Sequence, residues 1–164
     1  MNLYETLEEI RQWIGNRRAT SYTKEGCRVS MASIPSERVV LDVDLAFPTG
    51  RADTNQCDFV LFYIDAAQNC LVGVPMELKR GDVDVSEAIA QLQEGARIVD
   101  NHTPSNVDMN LTLILVHGGS IHRSQRNRLR TSRIRFRGEQ FPINTARCGH
   151  EGNLAQALRK SSKR

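Results

Sequence analysis

Apolar residues recur at Leu3, Leu7, Ile10 and Ile14. That is one stripe of a 3.6-residue repeat, and it predicts an amphipathic helix over residues 2–15. The period then shortens. "CRVSMASI" and "RVVLDVDLAF" read as strands, parted by Pro35 and Ser36, and "PTGRADTNQ" is a polar loop. "CDFVLFYI" is apolar on both alternating faces, the mark of a central strand. "DAAQN" turns the chain into a further strand, "CLVGVPMELK". "RGDVD" is a turn whose Asp84 or Ser86 supplies the N-cap of a helix over about 86–100. In that helix Ile89, Leu92, Ala96 and Val99 form one stripe, and Ala88, Gln91, Gly95 and Ile98 the stripe beside it. After "NHTPSN" come a buried strand "MNLTLILVH", a glycine turn, a short basic helix, a late hairpin of "IRFRG" with "QFPINTAR", and a short helix "NLAQALRK" that runs into a basic tail. Strands alternate with helices throughout, so the expected class is α/β, a mixed central sheet flanked by helices.

Length keeps this to one domain. The 164 residues are expected to form a single unit over 1–164, with 119–164 as a basic C-terminal elaboration of it. Hydrophobic content of 40% and charged content of 25% suit a globular chain. No apolar run approaches the roughly 20 residues that span a bilayer. The acidic, amphipathic N-terminus lacks a secretory pattern. The expectation is therefore a cytoplasmic protein without a membrane partner. Cys27, Cys57, Cys70 and Cys148 include no CxxC pair and read as reduced, buried thiols; "CGH" at 148–150 is too thin for a zinc site. Net charge is only +3, but "HRSQRNRLRTSRIRFR" concentrates arginine and implies a polyanionic partner.

Candidate chemistry lies on the two central strands. Alternation puts Glu77 and Lys79 on one face of "CLVGVPMELK", with Gly73 and Pro75. If the hairpin turn is centred between Ala67 and Gln68, with a loop of two or four residues, Asp58 lies opposite Glu77. Cross-strand partners have Cβ atoms about 4.5–5.5 Å apart. Two carboxylates that close repel, and a divalent cation with hard oxygen ligands resolves the repulsion. Gln91 lies on or beside the sheet-facing side of the following helix and needs a polar partner there. Gly95, one turn on, permits close approach to the sheet.

Asp58, then "ELK" at 77–79, then a helix reading "AIAQLQEGA", resembles the PD-(D/E)xK nuclease superfamily. That superfamily includes many restriction endonucleases and Holliday-junction resolvases, and the likeness spans roughly residues 2–117. The resemblance implies a restriction endonuclease-like core in the order αβββαβ and a Mg²⁺ (or Mn²⁺)-dependent nuclease. It implies action on DNA in preference to RNA, in restriction, repair or defence. It assigns Asp58, Glu77 and the Leu78 carbonyl to the metal. Lys79 would position water and stabilise charge, and Gln91 would match the family's helix glutamine. A first-helix glutamate would join them, with Glu9 the candidate ahead of Glu5 and Glu8. The nucleic-acid backbone would lie on Arg51, Arg80, Arg123, Arg126, Arg128, Arg130 and Arg133. The proline that often precedes the motif aspartate is Cys57 here. Cutting both strands of a duplex would favour a homodimer or a larger complex.

Rival readings are simpler. Glu77 and Lys79 could be a solvated strand face. Asp82, Asp84 and Ser86 mimic a calcium loop, but Glu87 stands at the required glycine and Gln93 at the bidentate glutamate, so they are turn and cap residues. Asp42 and Asp44 are further candidates for the metal. His117 and the glycines after it read as a turn, and Trp13 and Tyr4 as packing residues. The whole could be a nucleic-acid-binding or assembly module without catalysis, or a structural subunit docked through its basic tail.

Overall fold

The computed structural model describes residues 2–48 and 55–162; Arg51 lies outside them. In chain order the elements are α1 (Leu3–Ile14), β1 (Thr23–Lys24), β2 (Cys27–Arg28), β3 (Arg38–Asp42), the one-turn helix α2 (Val43–Ala46), β4 (Phe59–Asp65), β5 (Cys70–Lys79), α3 (Val85–His102), β6 (Met109–Leu111), β7 (Leu113–His117), α4 (Arg123–Thr131), β8 (Arg133–Phe136), β9 (Glu139–Arg147) and α5 (Asn153–Ser162). The main sheet is mixed, in the order β3-β4-β5-β7-β9-β8, and β6 also pairs with β5. β3, β4 and β5 are antiparallel, β7 runs parallel to β5, and β9 parallel to β7. The α/β class with a mixed, helix-flanked sheet is the one expected. Among the described residues no helix is long and apolar enough to cross a membrane.

Strand alternation sorts the core into two layers. Val60, Phe62 and Ile64 of β4 face Leu7, Ile10 and Ile14 of α1 and Leu92, Ala96 and Val99 of α3. Phe59, Leu61 and Tyr63 face the other way, into a second layer filled by the segment around Cys27 and, further along the sheet, by Leu154, Ala155 and Leu158 of α5. Both faces of β4 and β5 are thus buried, as their unbroken apolar runs require. Asp84 caps α3, accepting from the Glu87 N–H. Gly95 lets α3 lie close on the sheet: a Cβ there would stand 2.6 Å from Pro75 Cβ and 2.8 Å from Cys57 Sγ. Alanine at 95 gains helix propensity but overpacks a rigid ring. Gly95→Ala is expected to destabilise by about 1–3 kcal/mol, read as a lower midpoint in urea unfolding.

Four expectations are corrected. "CRVSMASI" is not a strand; only Cys27–Arg28 pairs, with Thr23–Lys24. "RVVLDVDLAF" ends its strand at Asp42, whose side chain accepts from the Asp44 and Leu45 N–H groups and starts α2. "MNLTLILVH" is broken at Thr112, and its two pieces pair with successive parts of β5. Cys27 and Cys148 are not reduced thiols but a disulfide, Cα atoms 5.1 Å apart across 121 residues of sequence, while Cys57 and Cys70 are free and buried. Two chain-distant cysteines meet because the strand before Cys148 returns beside β7, an adjacency no local pattern carries.

Candidate active site

The β4–β5 hairpin has a four-residue loop, and its register runs from Asp65↔Cys70 to Phe59↔Met76. This is the predicted register, and its next step sets Asp58 opposite Glu77. Asp58 continues the ladder through its own N–H to the Met76 carbonyl at 3.0 Å. Its side chain turns back and accepts from the Leu78 N–H at 2.8 Å through Oδ2. N–H and C=O of one strand residue point to the same side, so the Leu78 carbonyl is directed towards Asp58, past the end of β4.

Glu77 is 2% exposed. Lys79 Nζ lies 3.2 Å from its Oε2 and 3.3 Å from Glu87 Oε1. Glu87 also accepts from Gln91 Nε2 at 3.4 Å. Flipping the Gln91 amide would set its oxygen against the Glu87 carboxylate, so the orientation follows from chemistry. Sequence reasoning missed Glu87. The available signal was its spacing of four from Gln91, which places both on one helix face.

Burial pushes the Glu77 carboxyl up to about 9, with Asp58 adding to the rise and Lys79 opposing it. Burial also raises Asp58, against the Leu78 N–H. With its carboxyl raised to about 9, Glu77 holds a proton at neutral pH. Burial pulls Lys79 down, but Glu77 and Glu87 outweigh it and hold it above the ordinary lysine value. Among the described residues, the buried side-chain oxygens without a partner are Gln56 Oε1, Glu77 Oε1 and Gln91 Oε1. Such orphans call for an explanation. Two belong to this cluster, and the third is two residues before Asp58.

These residues fit a divalent cation. Among the described residues no group of three or more His, Cys, Asp or Glu side chains forms a metal cage. Mg²⁺ does not need one: it keeps several waters and binds through one or two carboxylates. Asp58, Glu77 and the Leu78 carbonyl supply that many hard oxygens, and the cation would displace the proton on Glu77.

Other predicted residues lie elsewhere. Glu9 is exposed on the solvent side of α1, opposite buried Leu7 and Ile10; Glu5 and Glu8 are exposed too, bonded to Asn2 and Arg11. A glutamate off the apolar stripe stays in water, so α1 contributes none to the cluster. Asp42 and Asp44 pair with Lys24 at 3.4 and 3.1 Å; Asp44 acts on Asp58 through charge. Arg80 follows the face change along β5, and its guanidinium lies over Gly26 on the far side of the sheet. Arg133 donates to the Arg130 and Ser132 carbonyls. Arg128 is exposed, and Arg123, Arg126 and Arg130 line clefts beside α4. Trp13 stacks on His102 with Arg17 over its ring, a packing role.

Comparison with known proteins returns no match to this chain among protein-family models, curated proteins or solved structures.

Proposed function

We propose that the protein is a Mg²⁺-dependent nuclease of the PD-(D/E)xK type, acting on DNA in preference to RNA. The observation that carries this reading is the cross-strand meeting of Asp58 and Glu77, with Lys79 beside them and orphan oxygens on Glu77 and Gln91. The order α1, antiparallel β3–β4–β5, α3, then β7 parallel to β5 is also the order of that superfamily's core.

Asp58, Glu77 and the Leu78 carbonyl would hold the cation. Bound there, it supplies positive charge that acidifies water and stabilises the developing phosphorane charge. Lys79, anchored between Glu77 and Glu87, offers its remaining hydrogen to the attacking water or a phosphate oxygen. Glu87 is a positioning residue: it holds the Lys79 ammonium and the Gln91 amide at once. Gln91, whose Oε1 is buried without a partner, would accept from a water at the site.

Incubation with linear, circular, single-stranded and branched DNA and with RNA, in Mg²⁺, Mn²⁺ or EDTA, tests the reading. Cleavage is expected with either metal and not in EDTA. Asp58→Asn and Lys79→Ala should each lower it about 10²–10³-fold or more, with binding in EDTA retained. Cleavage by Lys79→Ala at the wild-type rate, or no cleavage of any substrate, would remove it. The solvent-facing position of Glu9 favours a second reading, a nucleic-acid-binding module that does not cut; binding without cleavage in the same assay selects it.

A further inference from the structure

Lys79, His117 and Arg147 are successive register partners across β5, β7 and β9. Alternation keeps them on the face that carries Glu77, because Leu113, Leu115 and Ile143 of the same parity pack under α3 and α4. The row runs from the carboxylates into a cleft of about 540 Å³ between α4 and the ends of β7 and β9. Its polar lining is His117, Ser120, Arg126, Arg130, Thr145 and Arg147. Two strand spacings separate Lys79 from Arg147, roughly 10 Å.

Among the described residues no acid lines the cleft or pairs with its arginines. Arg126 makes no side-chain bond among the described residues, Arg130 reaches only Asn127 Oδ1, and Arg147 only the Gly118 carbonyl. Helix α4, "RSQRNRLRT", contains no acid, and its first residue is Arg123. Arginine at a helix N-terminus opposes the dipole, and Arg126 and Arg130 at i,i+4 repel. Each choice weakens the helix, and together they give a local positive field. His117 sets its Nδ1 2.9 Å from the Gly119 carbonyl. A carbonyl only accepts, so Nδ1 carries the hydrogen and Nε2 is left for a ligand. Hydroxyls on Ser120 and Thr145 add donors, and Leu129 and Ile143 form an apolar floor. Arginine forks, hydroxyls and one imidazole in a concave site are the donor set for a phosphate group.

We infer that this cleft is a phosphate-binding subsite, taking a phosphate of the nucleic-acid strand next to the one at Glu77. The identity of the ligand rests on the nuclease reading. The phosphate itself is either internal to the strand or a terminal monoester, and both present the same oxygens. The subsite would set the strand's register over the carboxylates, a role separate from general attraction to basic surface.

The test is metal-free, so it does not depend on cleavage. The full chain is titrated, in EDTA, into a 3′-fluorescein single-stranded oligonucleotide bearing either a 5′-phosphate or a 5′-hydroxyl, and anisotropy is read over a range of salt. Arg126→Ala with Arg130→Ala, and separately Arg147→Ala, should weaken binding about tenfold or more. They should also flatten the salt slope by about one for each phosphate no longer neutralised. Arg28→Ala, which removes one exposed arginine on the far side of the sheet, is the charge-matched control for Arg147→Ala and should change little. Circular dichroism melts confirm that each variant folds. Loss confined to the 5′-phosphate probe identifies a terminal phosphate; equal loss on both identifies an internal one. Cleft variants that bind like Arg28→Ala on both probes overturn the subsite, even in a protein that cuts DNA. Cleft-dependent binding by a protein that cuts nothing keeps the subsite and removes the nuclease reading.

Discussion

Glu77→Gln should abolish Mg²⁺-dependent cleavage and, without metal, make the protein more stable than wild type at alkaline pH. Both effects follow from one buried group. Glu77 is 2% exposed beside a second carboxyl, and burial raises it from an ordinary 4.5 to about 9. Between those values the folded protein holds a proton that the unfolded chain has released. A raised value contributes stability that is full below the unfolded pKa and is lost as pH rises through the folded one. Wild-type stability linked to this group is therefore complete below about pH 4.5, declines through the neutral range, and is gone above about pH 9. The slope is at most about 1.4 kcal/mol per pH unit, the value for one whole proton. Asp58, also raised, adds to the decline in the same direction. Glutamine keeps the shape of the protonated acid and cannot ionise. The two proteins should melt together near pH 4.5 and diverge as pH rises, with the variant higher. A ligand that binds the native state raises its melting temperature, so under the proposed reading Mg²⁺ should raise the wild-type value and leave the variant unmoved. Melts that stay parallel from pH 5 to 9 would show that Glu77 does not hold the proton, and equal Mg²⁺ stabilisation of both would show that it does not bind the metal.

Loss of the Cys27–Cys148 disulfide should lower stability by about 2–5 kcal/mol. The bond closes a loop spanning 121 residues of sequence. In the chain-entropy account, restraining so long a loop in the unfolded ensemble has a large effect. It also ties down an otherwise thin region: β1 and β2 are two residues each, and Cys148 lies next to Gly118 under the end of β5. The measurement is guanidinium unfolding of Cys27→Ser/Cys148→Ser against wild type, with and without reductant. Reductant should lower the wild-type midpoint and leave the double variant unchanged. Coincident curves for oxidised and reduced wild type would mean that the bond contributes nothing. Disulfides persist where the surroundings are oxidising, so the bond stands against the reduced thiols expected from sequence.

Local patterns decided a good deal by themselves. Short unbroken apolar runs at 59–65 and 70–79, bounded by turn residues, separate buried strands from the helices at 3–14 and 85–102, where apolar residues recur at the helical period along one face. Strand alternation put Glu77 and Lys79 on one face, and the turn centred on Ala67 and Gln68 put Asp58 opposite Glu77, since hairpin register is a local property. Gly95 and Gln91 were legible as the sheet-facing side of α3 for the same reason.

What the tertiary structure alone decided involves residues whose neighbours are distant in sequence. Whether α1 would bring Glu9 to the carboxylates depended on how that helix rolls, and its apolar stripe, Leu7, Ile10 and Ile14, turned Glu9 to water. Arg80, one residue past Lys79, was lost to the far face by the same alternation that placed Lys79. Glu87 acquired a role only when α3 packed across β5 and brought its carboxylate to Lys79. His117 and Arg147 joined the row because β7 and β9 lie parallel in successive positions, and parallel pairing is set by crossovers whose length leaves register open. The disulfide belongs with these. The motif could be read from the chain because a hairpin is local; the cleft beside it could not, because it exists only where β7 and β9 end together beside α4.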